Sequence, residues 1–314
     1  MRAIAVEGYG APPLAVTLPR PEPGPGEILV KLVAAGVNPV DWKIADGAFK
    51  DAMPASFPLV LGTDGAGVVA GIGPGVTRFA VGEQIFGRFG DAERGVGSYA
   101  EYAVVREDAP LAAMPAGMIY TQAAAVPTAT GTAFALVDTA RVDAGQVVLV
   151  VGATGGVGQA AVQYAADMGA HVIATARDDM IDEMKRLGAA ETIDHTAGDL
   201  SARLLADHPD GIDAILDVVG SRDEVTELAG LLKTGGVYLS TIGSVPDDLT
   251  AERELRGENV HAEITSELLE RIAEMIDAAR IRVAVHREVA LGEAPVAIAA
   301  ARLGGSRGKT VIRI

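Results

Sequence analysis

Apolar positions in the first 120 residues come in short runs set among glycines and prolines: Glu27 to Val33, Gly65 to Val69, Gln84 to Phe86 and Ser98 to Val105. Runs of this length bounded by turn residues predict strands, so the chain opens as an irregular, mostly β domain. The Pro- and Gly-rich stretch from Pro19 to Gly26 leads straight into strand signal and reads as a turn inside that domain, not a linker. From Gln122 the pattern changes to an alanine-rich helical segment, then to apolar runs alternating with helical stretches through about Glu263. The strand candidates are Val147 to Val151, His171 to Ala176, Ala214 to Val218 and Val237 to Ile242, with a weaker one at Glu191 to Asp194. Gln159 to Met168 has helical composition, and the alternation predicts a parallel α/β sheet. After a helix over Ser266 to Ala279, strand signals return at Arg282 to Val285 and at Thr310 to Ile314, the last suited to closing the first domain's sheet. The expected division is 1–121 completed by 280–314, with 122–279 as the second domain.

Composition narrows the function. A chain of 314 residues with 49% hydrophobic and 22% charged positions has enough apolar side chain for two ordered cores. Its 26 Lys and Arg against 42 Asp and Glu leave a formal charge of −16. Such a field repels phosphate backbones and anionic lipid, so neither nucleic acid nor membrane is an expected partner. An anionic cofactor would need a local cationic or helix-N-terminal site. The absence of cysteine removes disulfides, thiolate metal sites and cysteine nucleophiles together. No apolar signal core opens the chain and no run approaches membrane-spanning length, so a cytoplasmic address is expected.

Such an anion site is visible after the run Val147 to Val151, whose continuous apolar character suits a strand buried on both faces. It leads into Gly152-Ala153-Thr154-Gly155-Gly156-Val157-Gly158 and then a helical stretch. Glycines there permit a tight turn and close backbone approach to a pyrophosphate, and the helix N-terminus adds partial positive charge. The spacing departs from the strict dinucleotide fingerprint, yet strand, loop, helix and second strand follow in the required order. The second strand ends in Thr175-Ala176-Arg177, where an acid would select NAD and a cation suits the 2′-phosphate of NADP. Arg177 therefore favours NADPH, although Asp178 and Asp179 follow at once and offer it ion-pair partners.

Several ordered motifs extend this reading over nearly the whole chain: Gly36-Val37-Asn38-Pro39-Val40-Asp41, Pro58 to Gly67, Gly97-Ser98-Tyr99-Ala100-Glu101-Tyr102, the Gly152 loop and the terminal Gly308-Lys309. With them the sequence resembles the zinc-independent quinone oxidoreductase (zeta-crystallin-like) branch of the medium-chain dehydrogenase/reductase superfamily. The resemblance implies a GroES-like, mostly β catalytic domain beside a Rossmann doubly wound parallel-sheet domain, and a homodimer. Zinc enzymes of the superfamily carry Cys and a His-Glu pair where this chain has Asn38 and Thr63-Asp64. The five histidines, His171, His195, His208, His261 and His286, are scattered without close ligand spacing, so no metal is expected.

The resemblance also implies site residues. Asn38 and Asp41 match a turn near the nicotinamide, with turn and capping bonds as the other reading, and Lys43 matches the form of the alkenal-reductase side. Lys43 would hold a ribose hydroxyl or an enolate oxygen, or else is a solvated surface lysine. Asp64 matches a family acid but suits a structural role equally. Thr128 and Thr132 lie at the nicotinamide-side helix entry, where their hydroxyls either reach the carboxamide or cap the helix. Val219 ends one strand, and Thr241, Gly243 and Ser244 follow another, at the edge where an open sheet binds its ligand. Lys309 resembles a position near the cofactor. The chemistry implied is hydride transfer from NADPH to a small quinone or α,β-unsaturated carbonyl acceptor, which delocalises the resulting charge without a metal. An enoyl-thioester reductase and a non-catalytic NADPH-binding protein are the alternatives.

Overall fold

The computed structural model describes residues 1–314 except 247, 248, 250–253 and 306. In chain order the elements are β1 (Arg2–Val6), β2 (Leu14–Thr17), β3 (Glu27–Gly36), α1 (Pro39–Ala45), β4 (Leu59–Val60), β5 (Asp64–Ile72), β6 (Gln84–Arg88), β7 (Tyr102–Arg106), β8 (Leu111–Ala113) and α2 (Tyr120–Ala124). Then come α3 (Pro127–Ala140), β9 (Val147–Val151), α4 (Gly156–Asp167), β10 (His171–Thr175), α5 (Ile181–Arg186), β11 (Glu191–Ile193), α6 (Leu200–Asp207), β12 (Ile212–Asp217), α7 (Arg222–Ala229), β13 (Leu232–Ser240) and β14 (Arg256–Asn259). The chain finishes with α8 (Ser266–Asp277), β15 (Val285–Ala290), α9 (Ala294–Arg302) and β16 (Lys309–Arg313).

Two compact units emerge: Met1–Ala129 with Ile264–Ala279 and Val283–Ile314, and Thr130–Glu263 with Arg280–Arg282. The expected division placed 122–129 and 264–279 with the second domain; both stretches cluster with the first. The reason is packing: α2 lies on β3 and β5, and α8 lies on β8. The amphipathic pattern of α8 buries Leu269, Ile272 and Met275 but carries no mark of which unit will cover them.

In the first unit β3 is long and central, pairing antiparallel with β5, β7 and β16. The C-terminal run thus closes the first sheet, as its pattern suggested. A second sheet in the order β2-β1-β4 lies apart from it. Apolar clusters around Ile28, Val30 and Phe89, and around Ile4, Leu61 and Ile298, form its core. The stretch expected as a strand from Ser98 begins only at Tyr102, and the strand expected at Arg282 to Val285 forms at Val285–Ala290.

In the second unit all ladders are parallel, in the order β11-β10-β9-β12-β13-β14. This is the doubly wound dinucleotide order, whose switch point lies beyond the carboxyl ends of β9 and β12. Within this sheet β14 is the strand the pattern did not predict, because Arg256-Gly257-Glu258-Asn259 carries no apolar signal. Phe134 of α3 stacks on Tyr164 of α4 at 3.8 Å between ring centroids, fixing the loop helix to its neighbour.

Candidate active site

In the second unit the loop from β9 to α4 divides its glycines by task. Gly152 sits at φ +79°, and a Cβ there would also meet Val218 and Val219 at 2.8 Å. A Cβ on Gly158 would meet the Gly152 carbonyl oxygen at 2.2 Å, so glycine alone lets α4 pack this close to the loop. Gly155, the N-cap of α4, supplies no side-chain cap, and a Cβ on it would meet only the Gly152 oxygen at 3.6 Å. Space and first-turn N–H groups are therefore left beside Gly155, Gly156 and Val157, a cradle that fits a pyrophosphate. Thr154 is half-buried, and its carbonyl accepts the Gln159 amide at 3.0 Å, while the Ala153 methyl is buried.

Around the loop, some expected ligand contacts turn inward. Thr175 is buried, its hydroxyl receiving the Gly152 N–H at 3.0 Å and donating to the Val150 carbonyl at 3.2 Å. Its hydroxyl holds the loop from below. Ser244 is likewise buried against the Ser240 hydroxyl at 2.8 Å and supports its turn. Exposed at the carboxyl ends of the strands are Arg177 after β10, Val219 after β12 and Gly243 at φ +79° after β13, with Thr241 half-buried. Thr132, on α3, is half-buried.

Sequence reasoning passed over Asp217. Fully buried at the end of β12, it accepts the N–H groups of Val219 and Gly220 and the Tyr238 hydroxyl at 2.7 to 3.0 Å. Burial and the Asp217 charge push the Tyr238 phenol far up, so it stays a donor. The signal was present as an acid ending an otherwise apolar strand run.

In the first unit a polar network centres on α1. Asp41, buried, accepts the Asn38 and Thr63 N–H groups at 2.8 and 2.9 Å, the Thr63 hydroxyl at 2.8 Å and the Tyr99 hydroxyl at 2.7 Å. Burial pushes its carboxyl up to about 6, against the opposing pull of Tyr99 and Asn38. Asn38, buried, donates its amide to Asp64 at 2.9 Å and accepts the Lys309 ammonium. Asp64 also accepts the Thr128 N–H at 2.9 Å and hydroxyl at 2.7 Å, an acid at the N-terminus of α3 where the helix dipole favours it. Lys309 is buried and further bonded to the Val37 carbonyl at 2.8 Å; burial lowers its pKa while Asp64 and Asp41 pull the other way.

Asn38, Asp41, Asp64, Lys309 and the Thr128 hydroxyl are thus linked, with Thr63 and Tyr99, in one internal network. Only Lys43 of the expected trio is exposed. Beside Asp41 and Thr63 opens a cavity of about 240 Å³ walled by Ile44, Phe49, Met53 and Leu61. Arg88 also lines it, and its Nε has no hydrogen-bond partner among the described residues. At the positions where zinc relatives bind metal, this chain offers a neutral amide, a hydroxyl and one carboxylate already bonded to Asn38 and Thr128. That donor set does not fit zinc.

Fold and site together define a dinucleotide-binding α/β unit joined to a GroES-like β unit. The alcohol dehydrogenase GroES-like domain family matches residues 24–116, and the zinc-binding dehydrogenase family matches 156–266. The quinone-oxidoreductase QR1 of Triphysaria versicolor is 30% identical over 327 residues, 99% of this chain and 98% of that one. The NADPH-dependent alkenal/one oxidoreductase of Arabidopsis thaliana is 33% identical over 231 residues, 72% of this chain but 57% of that longer one. The solved quinone oxidoreductase of Escherichia coli, complexed with NADPH, superposes with a TM-score of 0.87 at 25% identity and full coverage of both chains. The protein belongs to the zinc-independent, quinone oxidoreductase-type branch of the medium-chain dehydrogenase/reductase family.

Proposed function

We propose that the protein is an NADPH-dependent oxidoreductase that passes hydride to a quinone or an α,β-unsaturated carbonyl compound without a metal. The observation that carries this is the Gly152 to Gly158 cradle at the switch point of the sheet, with the Arg177 cation exposed at the end of the second strand. Backbone N–H groups at Gly155 to Val157 bind the pyrophosphate, and Arg177 pairs with the 2′-phosphate. Val219, Thr241 and Gly243 border the cofactor at neighbouring strand ends, with Thr132 on the nicotinamide side. When bound, NADPH supplies the hydride; the acceptor takes one proton as well and leaves reduced by two electrons. The cavity beside Asp41 suits a flat apolar acceptor; Arg88 lines it, and Lys43, exposed on α1 outside that lining, is the residue the family resemblance offers to stabilise a developing oxyanion. Asn38, Asp41, Asp64, Thr128 and Lys309 tie α1 to β5, to β16 and to the first residues of α3.

Relatives named for quinone reduction, the near-full-length QR1 among them, and for alkenal/one reduction favour this reading over an enoyl-thioester reductase. NADPH consumption against quinones, alkenals, cyclic enones and enoyl thioesters tests it. Turnover confined to thioesters, or cofactor binding with no turnover, overturns it. A cytoplasmic address and a homodimer belong to the same proposal; among the described residues no helix is long and apolar enough to cross a membrane. Sedimentation showing only monomer at micromolar concentration would remove the dimer.

Two consequences follow for the cofactor site. Arg177→Ala is expected to weaken NADPH binding by about 1 to 3 kcal/mol, roughly 5- to 150-fold, since charge-assisted bonds to phosphate are strong but partly recovered by water at an exposed site. NADH binding should barely move, because it lacks the phosphate; an unchanged ratio of the two affinities removes Arg177 from the site. Activity is expected to survive exhaustive dialysis against a chelator, with kcat/KM unchanged. A loss restored by Zn²⁺ would contradict metal-free hydride transfer.

A further inference from the structure

We propose that His171, Glu191 and His208 form a binding site for one Zn²⁺ ion, remote from the chemistry. The five histidines are scattered along the sequence, but the fold brings two of them onto one carboxylate. His171 Nε2 lies 2.5 Å from Glu191 Oε1, and His208 Nε2 lies 3.3 Å from Glu191 Oε2. The potential ligand atoms of the three residues all fall within 4.8 Å of one another.

The placement is set by backbone. His171 opens β10, Glu191 opens the edge strand β11 opposite Ile173, and His208 is the C-cap of α6. All three belong to the second unit: His171 and Glu191 sit at the amino ends of β10 and β11, away from the glycine loop, and His208 ends the helix before β12. β10 spans about 16 Å at roughly 3.3 Å per residue, which keeps this cluster away from Arg177. Two neutral imidazoles and a carboxylate are the ligand set that suits Zn²⁺, bound at about 2.0 to 2.2 Å with further positions left open. Tetrahedral zinc at these distances sets neighbouring ligand atoms about 3.4 Å apart, so the His171–Glu191 pair opens slightly, and each ring gives up its Nε2 hydrogen bond and carries its proton on Nδ1. Asp207 lines the adjoining cavity of about 50 Å³ with Glu191 and His208, offering a further oxygen or room for one water. A bound ion would tie the short edge strand β11 and the end of α6 to β10, clamping the border of the sheet.

The test uses the full chain stripped with chelator and titrated with Zn²⁺ by calorimetry and equilibrium dialysis. One Zn²⁺ per chain at micromolar affinity is expected, with a raised unfolding temperature and unchanged NADPH binding. His171→Gln and His208→Gln should each weaken uptake about tenfold or more, of the order seen when a metal site loses a supporting group. In wild-type protein, ¹H–¹⁵N imidazole signals of His171 and His208 should shift on Zn²⁺ addition while those of His195, His261 and His286 stay, a readout independent of variant folding. No saturable uptake, uptake insensitive to both substitutions, or shifts confined to the other histidines would overturn the proposal. Because NADPH binding is followed separately, failure here leaves the oxidoreductase reading standing.

Discussion

Replacing Gly155 by valine is expected to weaken NADPH binding by about a hundredfold, ~2.7 kcal/mol, while the protein stays folded. The backbone at Gly155 is extended, with φ −78° and ψ 174°, a conformation valine adopts without strain. A Cβ there meets nothing nearer than the Gly152 oxygen at 3.6 Å, so the fold itself tolerates the branch. What the branch fills is the space a pyrophosphate needs against the first-turn N–H groups of α4. Gly158→Val is the contrasting control, since its Cβ would strike the Gly152 oxygen and Ala153 backbone. That variant should lose stability along with binding. Fluorescence titration of NADPH, alongside thermal unfolding, separates the two. A Gly155→Val protein that binds NADPH as well as wild type would take the loop out of the cofactor site.

Asp41→Ala should cost about 3 to 5 kcal/mol of folding stability, the usual penalty for removing one partner from a buried charged network. The Asn38 and Thr63 N–H groups and the Thr63 and Tyr99 hydroxyls would all lose an acceptor. Its pH dependence has a definite sign. The folded carboxyl titrates at about 6 against an ordinary 3.8, so the folded state holds the proton more tightly than the unfolded chain. Stability from this group is greatest below about pH 4 and falls as pH rises to about 6, by up to roughly 3 kcal/mol. Wild type and Asp41→Ala should therefore differ more at pH 4 than at pH 7, as read by urea unfolding at both. A gap that narrows toward pH 4 would mean that the four donors outweigh burial and hold the carboxyl below its ordinary range.

These two positions show how unevenly the sequence reveals a site. The place of Gly155 in the turn from β9 to α4 was readable because a side-chain-free turn after an apolar strand is set by local spacing. Asp41 was found by its motif, yet its task was not readable: whether an acid faces an acceptor or four internal donors depends on Thr63 and Tyr99, 22 and 58 residues away. Asp217 escaped notice for a similar reason, its hydroxyl partner lying on the neighbouring strand at Tyr238.

The run Val147 to Val151, the glycine turn behind it and the strand–helix alternation after residue 122 were determined by the sequence alone. Strands buried on both faces must be continuously apolar, and the turn into α4 must be free of side chains. The tail's return to the first sheet was legible too, as a strand signal with no helix to follow it. Tertiary structure alone decided which unit claims α8, because an amphipathic stripe specifies that a face is buried and not by what. It decided that Asn38, Asp41 and Lys309 turn inward and Lys43 outward, since polar side chains carry no periodic trace of burial. It also brought His171 and His208 to Glu191, a convergence that exists only once β10, β11 and α6 are side by side.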